Sequence, residues 1–144
     1  MSKQVIVMRK DLNMRKGKMI AQGSHASMAC LLNNMSEYDG RGKGNEDLLL
    51  NHKDLREKFG KAVGDSFWDY VTGKCRFTKI CVYVNSEKEL TEIYQKAADA
   101  GLPCSLIKDA GLTEFGGVPT LTCCGIGPAP EDQVDQITGE LPLL

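Results

Sequence analysis

Four short runs of β-branched, aromatic and other apolar residues, Gln4–Arg9, Phe77–Val84, Cys104–Lys108 and Thr120–Ile126, are separated by stretches whose apolar residues recur at helical spacing. That alternation restricts the chain more than any other feature, because strands that take turns with helices call for a sheet with helices packed on it. The sequence therefore predicts an α/β fold: one compact domain, with a single mixed β-sheet of four strands covered by α-helices. Its 144 residues make one ordinary domain. A hydrophobic content of 42% against 26% charged residues supplies a core and excludes wholesale disorder.

The first run leads into a polar turn, Lys10–Gly17, and a helix follows from Lys18 to about Leu32. Within it Ile20, Ala21, Ser24, Met28, Leu31 and Leu32 fall in one arc of roughly 120°, which predicts a core-facing stripe. Lys18, Gln22 and His25 stack into a polar row on the opposite face. Leu55, Phe59, Val63, Phe67 and Tyr70 predict a helix over Lys53–Val71, against the preference of Gly60 and Gly64. Ser86-Glu87-Lys88-Glu89 is a capping box for a helix that Gly101 ends and Pro103 keeps from resuming. Pro130 starts a last short helix with Glu131 and Asp132 in its acid-favouring first turn. The segment Asn33–Asn51, which holds Gly40-Arg41-Gly42-Lys43-Gly44, reads as a surface loop.

Several classes of function are excluded at this level. The charge-free stretch Met19–Ser36 has the length of a bilayer span but contains Gln22, His25, Asn33 and Asn34, so no transmembrane helix is expected. Val5-Ile6-Val7-Met8 is too short for a signal-peptide core, and a cytoplasmic protein is expected. The six cysteines are scattered and form no Cys-x-x-Cys pair, and His25 and His52 stand off zinc-ligand spacing. Reduced thiols and no metal are expected. Cys123-Cys124 admits a redox switch, although buried, inert cysteine is the commoner outcome in an apolar run. Gly125-Ile126-Gly127-Pro128 lacks the third glycine of a dinucleotide fingerprint, so no nucleotide cofactor is expected.

The net charge of −1 conceals a segregation. Lys3, Arg9, Lys10, Arg15, Lys16 and Lys18 stand against Asp11 alone in the first 25 residues, whereas no basic residue follows Lys108 and six acids do. Such an edge supplies the local positive potential that a polyanion requires, or is simply a solvated surface. In an open α/β sheet the working groups lie on loops at the carboxyl ends of strands, which selects Lys10–Lys18 and Asp109–Thr120. Placed side by side, these loops gather Lys16, Lys18 and His25 with Asp109 and Thr113: cations, a carboxylate and hydroxyls that suit hydrolysis. Asp109 before Ala110-Gly111 equally suits a turn residue that caps its own backbone.

The order of these segments resembles a known family. Val5 through Gly17-Lys18-Met-Ile-Ala-Gln-Gly-Ser-His25-Ala is similar to the opening signature of the archaeal and eukaryotic type of peptidyl-tRNA hydrolase. Gly101-Leu-Pro-Cys-Ser-Leu-Ile-Lys-Asp-Ala-Gly-Leu-Thr113-Glu, Thr122 through Gly125-Ile-Gly-Pro-Ala-Pro130, and Val134 through Leu144 follow the later blocks in sequence, and the matching blocks cover about two-thirds of the chain. The resemblance implies an α/β domain, usually a homodimer, that cleaves the ester between a peptide and the terminal ribose of tRNA. It maps the catalytic site to Lys18, His25, Asp109, Thr113 and Thr120, and gives Arg9, Lys10, Arg15 and Lys16 a partner in the phosphates of peptidyl-tRNA. The segment 33–76 departs from the family pattern as a longer loop-helix insertion within one 1–144 domain. Direct attack by water is expected, since no nucleophile with a paired base is visible. The rival from another class is a non-catalytic module that binds RNA or protein with the same fold.

Overall fold

The computed structural model describes residues 1–35 and 51–144. The glycine cluster Gly40–Gly44 lies outside the described residues, so the surface-loop expectation stands without a structural counterpart there. Strands β1 (Ser2–Arg9), β2 (Lys79–Val84), β3 (Cys104–Asp109) and β4 (Thr120–Pro130) form one mixed sheet in the order β2-β1-β4-β3. β1 is parallel to β2 and antiparallel to β4, and β4 is antiparallel to β3. The carboxyl ends of β1, β2 and β3 therefore share one edge. The helices are α1 (Lys16–Met35), α2 (His52–Phe59), α3 (Lys61–Val71), α4 (Glu87–Asp99) and α5 (Glu131–Thr138).

The two-residue period of the strands divides the core into layers. Val5 and Val7, with Cys124 and Ile126, pack with Leu90, Ile93 and Ala97 of α4 and Val134 of α5. Ile6, Met8 and Cys123 point the other way and join Met14 and Ala26 beneath α1. The vicinal cysteines thus sit in opposite layers, both fully buried, and burial pushes the Cys123 thiol up to about 11 and that of Cys124 well above its usual range. Thiols so held are poor redox groups at neutral pH.

The expected inner stripe of α1 is corrected by the structure. Ile20, Ala21, Ser24, Met28 and Leu32 face outward, with Ile20 71% and Met28 58% exposed, and Leu31 is half-buried. The buried arc is instead Gln22, Gly23, Ala26 and Cys30. The reason is proximity to β4. A Cβ on Gly125 would stand 2.7 Å from Cys30 Sγ, 2.8 Å from the Ala26 carbonyl oxygen and 3.0 Å from Ser105 Oγ, so the helix lies on bare backbone and only small side chains fit between. The Ser105 hydroxyl donates to the Ala26 carbonyl at 2.8 Å and secures this contact.

Boundaries also differ from expectation: α1 takes in Lys16 and Gly17, expected in the polar turn, and Asn33–Met35, expected in the surface loop. The helix over Lys53–Val71 is two helices, because Gly60 adopts φ +84°, a left-handed value that interrupts the helical path. β2 begins at Lys79 rather than Phe77, since Arg76 and Phe77 both have positive φ and belong to the preceding turn. β4 continues past Ile126 to Pro130, because Ser2 and Lys3 at the start of β1 pair with Pro130 and Ala129. The capping box at α4 holds: Ser86 Oγ accepts from the Glu89 N–H at 3.1 Å, while the Glu89 carboxylate accepts from the Asn85 N–H at 2.6 Å. The chain then closes the outer edge of β2, where the Tyr83 N–H donates to the Pro142 carbonyl and the Leu144 N–H to that of Cys81.

The close seating of α1 yields a contrast between two glycines. Gly125→Ala should lower unfolding free energy by about 1–3 kcal/mol, the usual cost of overpacking. Gly23→Ala, whose methyl would lie 3.5 Å from Ile6, should be neutral or slightly stabilising through helix propensity. Denaturant midpoints of the two variants, read at unchanged m-value, measure the difference.

Candidate active site

α1 starts at the shared strand edge, and Lys18 lies in its first turn with Gln22 one turn further along. β3 ends at the same edge in Asp109. Lys18 Nζ donates to Asp109 Oδ1 at 2.8 Å and to Thr113 Oγ1 at 2.9 Å. Gln22 Nε2 donates to the same Asp109 oxygen at 3.1 Å, and the Gly111 N–H donates to the other, Oδ2, at 2.9 Å. Asp109 therefore fills both roles that its sequence context allowed, capping the turn with one oxygen and meeting the helix with the other.

The loop that carries Thr113 is folded tightly on itself. The Gly117 N–H donates to the Gly111 carbonyl at 2.8 Å and the Val118 N–H to that of Phe115 at 3.0 Å. Gly111 has φ +81°, and a Cβ on it would lie 2.2 Å from the Val118 carbonyl oxygen, so any side chain there would open the loop. Phe115 is partly buried against the Ile6–Met8 layer, with Lys18 Nζ 5.7 Å from its ring centroid.

The side chains of Lys18 and Asp109 remain 15% and 14% exposed, which leaves them within reach of a substrate. The Lys18 ammonium, first, then the Gly111 N–H and Gln22 hold the Asp109 carboxyl below the usual carboxylate range. It is an anion throughout the neutral range. An ammonium at a helix start is unfavourable against the helix dipole, and the carboxylate beside Lys18 offsets that cost.

Lys18, Asp109 and Thr113 are thus brought together; His25 and Thr120 are not joined to them by hydrogen bonds. His25 is exposed seven residues after Lys18 and makes no hydrogen bond or ion pair with the described residues. Thr120 pairs with Asp109 across the β3–β4 ladder, but its hydroxyl donates to the Val118 carbonyl at 2.8 Å. Gln22 is the residue that motif reasoning passed over. Its position four residues after Lys18 was the available signal, since that spacing stacks side chains on a helix.

The cations separate into two groups. Arg9 is held: its guanidinium pairs with the Asp11 carboxylate at 2.7 Å and donates to the Leu121 carbonyl at 3.0 Å, with its side chain 11% exposed. Lys10 lies over the Tyr83 ring at 4.4 Å, and Lys16 and Arg15 are exposed, the last 3.9 Å from Glu114. Among the described residues no group of three His, Cys, Asp or Glu side chains is placed to hold a metal ion, and no helix is long and apolar enough to cross a membrane.

A carboxylate, an ammonium and a hydroxyl converging at the carboxyl edge of a mixed sheet define a small α/β domain with a hydrolase-type site. Residues 2–144 match the family model described as Peptidyl-tRNA hydrolase PTH2, and the chain belongs to that family. It is 42% identical over 142 residues to a peptidyl-tRNA hydrolase of Methanocaldococcus jannaschii, covering 99% of both chains. It is 38% identical over 144 residues to that of Methanopyrus kandleri, covering 100% of this chain and 99% of the relative. Among solved structures, a protein of unknown function from Agrobacterium tumefaciens shares the fold at a TM-score of 0.50 and 10% identity, over 99% of this chain and 97% of that one.

Proposed function

We propose that this chain hydrolyses the ester joining a peptide to the 3′-terminal ribose of tRNA, acting in the cytoplasm to return tRNA from stalled synthesis. The observation that carries the site assignment is the Lys18–Asp109–Thr113 cluster. Asp109 orients a water molecule and takes its proton as the oxygen attacks the ester carbonyl. Lys18, supported by the α1 N-terminus, stabilises the oxyanion that develops, and Thr113 hydrogen-bonds the reacting groups. Collapse breaks the bond to the ribose oxygen, which receives the proton from Asp109, giving a peptide acid and free tRNA.

In the resting site Asp109 is a weak base because Lys18 is bonded to it. An incoming ester or phosphate competes for that ammonium, and as Lys18 turns to substrate the carboxylate regains basicity. His25, on the solvent side of the same helix, is assigned to contact with substrate, and Thr120 to holding the loop through Val118. Lys10, Arg15 and Lys16 are the exposed cations assigned to acceptor-stem phosphates; Arg9 contributes charge from a fixed position. A binding module of the same fold has no use for a carboxylate placed among these cations, where it weakens the attraction for phosphate.

Asp109→Asn should lower kcat for an N-blocked aminoacyl-tRNA by at least about a hundredfold, with tRNA affinity within about threefold of the parent. Undiminished turnover would remove Asp109 from the mechanism. Replacing Arg15 and Lys16 together by Ala should raise KM, spare kcat, and flatten the dependence of log affinity on log salt by about one to two units. An unchanged slope would place the phosphates elsewhere.

We also propose a homodimer formed through the outer face of α1. A groove of about 560 Å³ lies along that face, lined by Ile6, Met8, Met19, Ile20, Gly23 and Met28 among others. From Met19 to Ser36 there is no Asp, Glu, Lys or Arg, so this stretch of helix adds no charge to a contact with its symmetry mate, and the charged residues lining the groove are Lys16 and Lys79. Ile20 and Met28, both exposed, supply the apolar area that a two-fold pairing of this face would cover. Ile20→Asp combined with Met28→Asp should give a folded monomer by analytical ultracentrifugation; a parent chain that sediments as a monomer would refute the pairing.

A further inference from the structure

The register of β3 on β4 contains one irregularity, and it falls beside the site. Ile107 pairs with Cys123 and Lys108 with Leu121, so Thr122 is an extra residue on β4 with no counterpart on β3. A bulge of this kind re-aims the side chain of the extra residue. As a result Thr122 and Cys123, neighbours that regular alternation would send to opposite faces, both reach Gln22 of α1. The Thr122 hydroxyl donates to Gln22 Oε1 at 2.6 Å, and the Cys123 thiol to the Gln22 backbone carbonyl at 3.3 Å. The only other polar contact of the Thr122 hydroxyl among the described residues is Cys123 Sγ at 3.8 Å. Thr122 is fully buried and Gln22 is 3% exposed.

This contact fixes which way the Gln22 amide faces. With its oxygen occupied by the Thr122 proton, its NH₂ is turned to Asp109 Oδ1; the reversed amide would set an oxygen against the carboxylate. Asp109 therefore has two kinds of donor. In the mechanism proposed above Lys18 is drawn away when substrate presents an anion or a developing oxyanion. Gln22 and the Gly111 N–H are neutral donors, one held by Thr122 and the other part of the backbone of the loop.

We propose that Thr122 is a positioning residue for ester hydrolysis, acting through Gln22 to hold the Asp109 carboxylate in line with its water once Lys18 has left it. The inference rests on Asp109 as the water-directing group. Its energetic logic is that of a preorganised site: the orientation is built into the fold through a buried hydroxyl and is not assembled anew at each turnover.

The experiment is a set of steady-state measurements on the full chain with an N-blocked aminoacyl-tRNA, each variant checked for folding by circular dichroism. Thr122→Val, which keeps the shape and removes the hydroxyl, should lower kcat by about tenfold with KM changed by less than about twofold. Thr122→Ser, which restores the hydroxyl, should return to within about threefold of the parent. Gln22→Met should lose at least as much kcat as Thr122→Val, and adding Thr122→Val to Gln22→Met should cause no further loss, because the threonine acts only through the glutamine. Should Thr122→Val fail to fold, Thr122→Cys takes its place, with a fall of about fivefold in kcat expected from its weaker donor. Parental kcat in the hydroxyl-free variant, equal impairment of the Ser and Val variants, or multiplicative losses in the double variant would each overturn the proposal. If Asp109→Asn is inactive while Thr122→Val is fully active, this inference alone fails; if Asp109→Asn is itself fully active, the reading beneath it fails as well.

Discussion

Everything in the site depends on how closely α1 lies on β4. At Gly125 the helix backbone and Cys30 come to distances that would exclude even a methyl group, and Gly23, Ala26 and Cys30 are the side chains small enough to line the seam. A helix seated this low carries its first turn to the level of the strand ends. Lys18 and Gln22 then reach Asp109 directly, at 2.8 and 3.1 Å, rather than across a solvent gap. The packing of small residues in the middle of the helix is thus what sets the Lys18–Asp109 and Gln22–Asp109 distances at its start, even though Gly125 touches none of these side chains.

The second constraint is electrostatic. A carboxylate that accepts from an ammonium, an amide and a backbone N–H is stable as an anion and reluctant to take a proton. In the proposed mechanism the carboxylate is ionised before substrate arrives and basic afterwards, and a lysine that substrate can capture, beside a glutamine held by Thr122, reconciles the two demands. The surrounding cations follow the same division between held and available. Arg9 is locked by Asp11 and the Leu121 carbonyl and shapes the strand edge, whereas Lys16 and Arg15 project into solvent where a polyanion can displace water from them.

Much of this was legible in the residues. Strands with β-branched runs, a capping box at Ser86, and the glycine after α4 specify local structure through short-range physics, and each appears within a few residues of its expected place. The pairing of the Lys18 and Asp109 loops was legible too, because strand carboxyl ends collect working groups in this class of fold. What was not legible depends on distance between elements. The arc of α1 that holds its larger apolar residues looks like a core stripe, and nothing local reveals that an approaching glycine in β4 selects the smaller arc. Thr122 as the extra residue of a bulge is likewise a product of strand register, whereas Gly60, visible as a weak point of the expected helix, is where its left-handed φ divides α2 from α3. Gln22 was visible as a polar residue in line with Lys18, but its value came only with the partners on either side of it.

The two apolar arcs of α1 make sense together when the helix is viewed down its axis. At about 100° per residue, Ala26 and Cys30 point to the sheet, Lys18 and Gln22 flank them on one side, and Ile20, Ser24 and Met28 occupy the remaining arc. Lys18 and Ile20, two residues apart, point about 160° away from each other. A second copy seated on the outer arc would therefore approach from the side opposite the carboxylate and leave both sites of the pair open. Charge in the helix is confined to its start, at Lys16 and Lys18. One helix thus carries three arcs: small residues set its height on the sheet, Lys18 and Gln22 at its start meet Asp109, and its larger apolar side chains lie exposed.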